Sequence, residues 1–266
     1  MKKHLLSISV IFISLAMFQI SCGEGDGTGG LPGGDLPGGG SIGSGDNTVY
    51  APRSGAAAPV LIWGNATGSS VRTYRTLHQF FADNGYLVVA ANDTSTGQGE
   101  TLIEALNWIE AENRNPRSPY YGKADLTRVA ISGHSQGGAS AVVAAGSDSR
   151  FRALASLQPD CAFWVRCNNT ASVRATSLLV AGASDTLVSP RTVENVYRDM
   201  RAPVVHAEIR GMGHTGWYGD QVGSMGRQML SFFNGVLNQD QAKLNQFRSG
   251  NCRDCGSSWQ LKSKNF

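Results

Sequence analysis

The sequence has no glycine-rich nucleotide fingerprint in the strand–helix setting that motif needs, and no H-E-x-x-H pair, so it points to neither a dinucleotide site nor a helix-borne catalytic metal. No cofactor and no metal are expected. It also has no run of basic residues. Its 266 residues carry 23 Lys and Arg against 20 Asp and Glu. Lys2 and Lys3 belong to a segment read below as a removable leader. Taking these two from the 23 leaves 21 basic residues against 20 acidic, a net charge of +1. That balance offers no electrostatic footprint for nucleic acid. Long apolar runs are equally scarce. The one extended stretch, Leu5 to Ile20, is short for a membrane span and is soon followed by glycines.

Residues 1–21 therefore read as a signal peptide: a positive start, an apolar core, then Ser21 and Cys22. Ile20-Ser21-Cys22 resembles the lipidation signal of bacterial lipoproteins, with Gln19 in the place of the usual leucine. Cys22 is thus the expected lipidation site and, through it, the expected link to a membrane. Residues 22–47 form a linker that is mostly glycine from Gly23 to Gly45, with Leu31-Pro32-Gly33-Gly34-Asp35 nearly repeated from Leu36. A segment with so little to bury reads as a flexible tether. An exported chain favours disulfides. Four cysteines remain after Cys22, which allows three connectivities. Closeness in sequence favours Cys161 with Cys167 and Cys252 with Cys255.

The folded domain is expected over residues 48–266. Short apolar runs alternate with helical patterns. Strands are expected at Pro59–Trp63, Tyr86–Ala91, Arg128–Ser132, Ala153–Leu157, Ser177–Ala181 and Val204–Ile209. Helices are expected at Arg72–Asn84, Glu100–Asn113 and Ser135–Ala145, after Ser189-Pro190, and from Val222 to Val236. Alternation of this kind argues for an α/β class with a mainly parallel sheet and helices on both faces. Its length suits one core, not two.

The chemistry is expected at Gly133-His134-Ser135-Gln136-Gly137, between the strand ending at Ser132 and a helix of small residues. This is the strand–turn–helix setting of a nucleophile elbow, with Ser135 at its tip. A serine hydroxyl needs a base, and the base an orienting acid. Among the histidines, His4 lies in the leader, His78 in a helix and His206 in a strand. His134 adjoins the serine, so its side chain should point away from the base position. His214 follows a strand in a glycine-rich loop, at the same sheet edge as the elbow, and is the expected base. The acid should lie between serine and histidine. Asp185 follows the strand Ser177–Ala181 and is preferred. Asp160 comes one strand early, and Asp199 lies within a helix. For the oxyanion, one donor is the backbone N–H of Gln136, and the second should come from the loop Gly64–Gly68.

These motifs, with Tyr121-Gly122-Lys123-Ala124-Asp125, Ala183-Ser184-Asp185 and Gly213-His214, resemble the α/β-hydrolases, in particular the bacterial cutinase, polyester-hydrolase and chlorophyllase-like branch. The resemblance implies the α/β-hydrolase fold, a three-layer sandwich, and hydrolysis of carboxylic esters by an acyl-enzyme without a cofactor. Counting back from Ala82–Val89, which resembles the family's early helix–strand junction, places Thr67 at the second oxyanion donor, with Ala66 as the alternative. The family's aromatic clamp after the strand that follows the elbow helix is absent, since the chain reads Gln158-Pro159-Asp160-Cys161 there. Trp217, close after His214, is the candidate for lining the acyl pocket, with core packing as its alternative; Trp164 is the other candidate. The expected partner is a small ester, a lipid or a polyester, met by a monomer. Acyl transfer by the same acyl-enzyme and a catalytically idle binding domain are the competing functions.

Overall fold

The computed structural model describes residues 46–248, 252 and 255–266. The leader, the tether up to residue 45 and Cys22 lie outside the described residues. Strand β1 (Asn47–Tyr50) begins one residue before the expected start of the domain. Strand β2 (Ala58–Gly64) is buried along its whole length. So is β3 (Leu87–Ala91). An all-apolar strand belongs in a sheet covered on both faces, because only there do both sets of alternating side chains leave water.

The chain continues through β4 (Ala124–His134), β5 (Phe151–Leu157), β6 (Thr176–Gly182), β7 (Val204–Ile209) and β8 (Trp259–Lys264). These form one eight-stranded sheet in the order β1-β3-β2-β4-β5-β6-β7-β8. The six strands from β3 to β7 run parallel, while β1 and β8 close the two edges antiparallel. Strand β8 lies in what the sequence presents as a polar tail. Only one of its residues, Trp259, is buried, and the rest of WQLKSK faces water at least in part.

Helices cover both faces. Helix α1 (Arg75–Asp83), α5 (Arg227–Leu237) and α6 (Gln241–Arg248) pack through Leu77, Phe81, Met229, Phe232, Phe233 and Phe247 onto Leu61, Trp63, Val88 and Ala130. Helix α2 (Glu100–Arg114), α3 (Gln136–Ser147) and α4 (Pro190–Asp199) pack onto Val60, Ile62, Val89 and Ile131. The period of two along β2 thus divides its side chains between two cores. This is the three-layer α/β-hydrolase arrangement. The Ser189-Pro190 signal is realised: the Ser189 hydroxyl accepts the Thr192 N–H at 3.3 Å, capping α4. Both expected disulfides, Cys161–Cys167 and Cys252–Cys255, are formed.

His78 of α1 lies wholly inside the first of these cores, against the rings of Tyr50, Trp63 and Tyr74. Neither ring nitrogen has a hydrogen-bond partner among the described residues. Burial alone pushes this imidazole down to about 3. Folded, it binds a proton more weakly than unfolded, so its contribution to stability is intact above about pH 6.5 and is lost as pH falls below that. Between pH 7 and pH 5 we expect His78 alone to remove about 2 kcal/mol of unfolding free energy, at about 1.4 kcal/mol per pH unit. Urea unfolding at the two pH values checks this. The variant His78→Phe should lose about 2 kcal/mol less than the parent over the same interval.

Candidate active site

The strand order reverses at β2 and β4. From β2 the chain goes outward to β3, beyond which β1 lies, and from β4 it goes the other way to β5, β6 and β7. Gly64 and Gly133 face each other across this point, at the C-terminal ends of their strands. A doubly wound sheet opens its binding crevice at such a place. Ser135 follows directly, at φ 56° and ψ −120°, a backbone position costly for any side chain. Its neighbours show why the turn is so tight. A Cβ on Gly137 would overlap the carbonyl oxygens of Gly64 and Asn65, and one on Gly133 would overlap the Gly137 carbonyl. The Ser135 N–H donates to the Leu157 carbonyl at 2.9 Å, anchoring the turn to β5.

Asp185 follows β6 and His214 follows β7, so both reach the same edge. His214 Nδ1 lies 2.8 Å from Asp185 Oδ2. The carboxylate cannot donate, so Nδ1 carries the proton and Nε2 is left as the acceptor. Asp185 is held on every side. Its Oδ1 accepts the N–H groups of Leu187 at 2.8 Å and Val188 at 2.9 Å, and its Oδ2 also accepts from Gln158 Nε2 at 2.7 Å. Ser135 and His214 line one cleft of about 440 Å³. Asp160, the rival acid, lines it too, but its Oδ1 accepts the Phe163 N–H at 3.1 Å within its own loop. Asp199 closes α4, at a distance from this edge along the chain.

The N–H groups of the loop after β2 are mostly committed. Ala66 donates to the Tyr74 hydroxyl at 3.3 Å, Gly68 to Thr94 O and Ser69 to Ala66 O. Thr67 N–H has no such partner among the described residues, and Thr67 lines the cleft. Gln136 opens α3, where an N–H has no intrahelical acceptor. The side chains of these two residues meet, Thr67 Oγ1 donating to Gln136 Oε1 at 3.1 Å. Of the two expected loop positions, Thr67 is therefore the one with its amide available.

His134 lies beside the base position, its ring centre 4.7 Å from that of His214. It is fully buried, and burial followed by the nearby His214 pushes it down to about 3. The neutral ring donates from Nε2 to the His214 carbonyl at 3.0 Å. Its Nδ1 then accepts from tyrosine: Tyr74 and Tyr218 hydroxyls lie 3.0 and 2.9 Å away, and 2.8 Å from each other. Burial raises both phenols, so they stay protonated as donors. No local pattern signals this network, whose hydrogen bonds span 60 to 144 positions of the chain.

Trp217 lies beneath the site, not on its surface. It is buried, stacks on Tyr74 at 6.0 Å and donates to Gln158 Oε1 at 3.3 Å. Core packing, the alternative weighed for it, describes its position. The aromatic at the cleft is Trp164, beside Phe163, on the loop closed by Cys161–Cys167. Phe163, Trp164 and Leu187 are 79%, 56% and 76% exposed and form an apolar rim. Phe163 and Leu187 were not singled out from the sequence, and only their adjacency to Trp164 and Asp185 could have drawn notice.

Among the described residues, no group of three His, Cys, Asp or Glu side chains is arranged to hold a metal ion. Nor is any described helix long and apolar enough to cross a membrane. In comparison with known families, the model described as PET hydrolase-like matches residues 35–264. No curated protein matches the chain.

Proposed function

Because the chain belongs to the PET hydrolase-like family and is an ester hydrolase of the α/β-hydrolase type, we propose that it is an exported serine hydrolase that cleaves carboxylic esters through an acyl-enzyme on Ser135. The observation that carries this reading is the 2.8 Å contact between His214 Nδ1 and Asp185 Oδ2, with Ser135 and His214 on one cleft. Ser135 Oγ attacks the ester carbonyl as His214 Nε2 takes its proton. The N–H groups of Gln136 and Thr67 receive the oxyanion. Asp185 holds the imidazole in the tautomer that leaves Nε2 free and stabilises it once protonated. The protonated ring then gives its proton to the departing alcohol. A water deprotonated by His214 releases the acid and regenerates the serine.

The rim of Phe163, Trp164 and Leu187 suits an apolar ester, and Trp164 takes the substrate-facing place considered for Trp217. Residues 1–21 act in this reading as a signal peptide and the glycine-rich segment after them as a tether, with Cys22 lipidated and the domain that begins at β1 monomeric. The two disulfides are consistent with an extracellular protein. A fluorophosphonate probe tests the core of the proposal, since it phosphonylates only an activated serine. Peptide mass spectrometry should find the adduct on the peptide carrying Ser135. An adduct on another serine, or none on folded protein, would refute it.

A further inference from the structure

Gln158 follows β5 directly, with no exposure to solvent and φ at 47°. Nothing in the chemistry above requires an amide there. Burying one is unfavourable unless each of its polar atoms finds a partner. All of them do. Oε1 accepts the Trp217 Nε1–H at 3.3 Å. Nε2 donates to Asp185 Oδ2 at 2.7 Å and to the Gly213 carbonyl at 3.0 Å. The orientation of the amide follows from its partners: an indole N–H only donates, whereas a carboxylate and a carbonyl only accept. One side chain therefore joins the loop of the acid to the residue directly before the base. Those contacts span 27 and 55 positions of the chain.

We propose that Gln158, oriented by Trp217, is a positioning residue for the ester hydrolysis: it fixes the acid loop to the base loop and shares Asp185 Oδ2 with His214. This rests on the reading of Asp185 and His214 as acid and base. Sharing has a chemical consequence. A hydrogen bond from the amide draws on the charge of Oδ2, and so limits how strongly that oxygen favours a protonated His214. Besides Asp185, His134 packs against the His214 ring, its centre 4.7 Å away, and Asp160 and Tyr218 line the same cleft. His134 stays neutral and Asp160 bonds within its own loop, so Asp185, at 2.8 Å, is the charge in contact with the ring. Without the amide, the carboxylate would hold the imidazolium more tightly, and the base would become available only at higher pH. The Gly213 carbonyl, which also accepts the Gly216 N–H at 3.2 Å, would lose one of its two restraints, giving His214 room to drift from its attack geometry.

Gln158→Met preserves length and volume while removing the hydrogen bonds. With p-nitrophenyl butyrate, kcat should fall by between ~10-fold and ~100-fold, the loss usual when an outer hydrogen-bonding partner of a functional side chain is removed. KM should stay within about twofold, because the amide does not touch substrate. The acid-side midpoint of kcat/KM should move upward. Trp217→Phe keeps a ring against Tyr74 and removes the indole donor, so its effects should be smaller and in the same direction. Since Trp217 acts through Gln158, the double variant should be no slower than Gln158→Met alone. The proposal is overturned if folded Gln158→Met keeps the parental kcat and midpoint, or if the two losses multiply in the double variant. Should Gln158→Met fail to fold, an unmoved midpoint in Trp217→Phe would overturn it. Ser135→Ala separates the two levels. Full activity there removes the serine reading itself, whereas an inactive Ser135→Ala beside a parental Gln158→Met removes only the role of Gln158.

Discussion

Ser135→Ala, in protein lacking the first 45 residues, is expected to lower kcat on p-nitrophenyl butyrate by about 10⁴-fold or more. The serine is the only group that can form the acyl-enzyme in the proposed sequence. His214 and the two backbone donors remain in the variant, so the residual rate is the one they sustain with water alone. The fold should be untouched. The turn is dictated by the contacts of Gly133 and Gly137, and by the Ser135 N–H on Leu157, none of which involves the hydroxyl. A thermal melt alongside the assay checks that the loss is chemical. Parental activity in a folded variant would dismiss Ser135 as the nucleophile.

Asp185→Asn should cost nearly as much, about 10⁴-fold in kcat, because it reverses a hydrogen bond without changing shape. The direction of the new amide is imposed by its neighbours. Oδ1 receives two backbone N–H groups from Leu187 and Val188, so the asparagine oxygen must stay on that side. Its NH₂ then faces Gln158 Nε2 and His214 Nδ1, both of which donate in the parent. His214 escapes the clash by moving its proton to Nε2, which makes it useless as a base toward Ser135. Asp160→Asn is the control. Asp160 bonds within its own loop, and its loss should change kcat by less than about tenfold. If Asp160→Asn carried the large effect instead, Asp160 would be the acid.

Much of the fold could be read along the chain. The interior strands are apolar on both faces and the helices carry an apolar stripe, so local pattern reports them directly. The edge strands were harder. Strand β8 shows the core little beyond Trp259, and a stretch ending Lys-Ser-Lys offers no period to detect. Strand β1 starts inside the expected tether because its partner, β3, lies some forty residues away, where local pattern cannot reach. Helix α6 follows so closely on α5 that the sequence presents no separate signal for it.

The site divides in the same way. Ser135 follows directly on a parallel strand, Asp185 and His214 lie in the loops that leave two others, and parallel strands bring their C-terminal ends to one edge. Order in the chain was therefore enough to nominate them. The sequence alone also supplied the two disulfide pairings, because each joins cysteines only 6 and 3 residues apart, within reach through local chain. Only the tertiary structure decided what surrounds these groups. It showed that the Tyr74 hydroxyl takes the Ala66 N–H and leaves that of Thr67, that Trp217 is buried while Trp164 lines the cleft, and that Gln158 meets Asp185. The reason is physical. Strand order and hydrophobic period are one-dimensional and survive in the sequence, but a hydrogen bond is specified by distance and direction between side chains dozens of residues apart. Those are set only once both cores have packed and fixed every loop at the sheet edge.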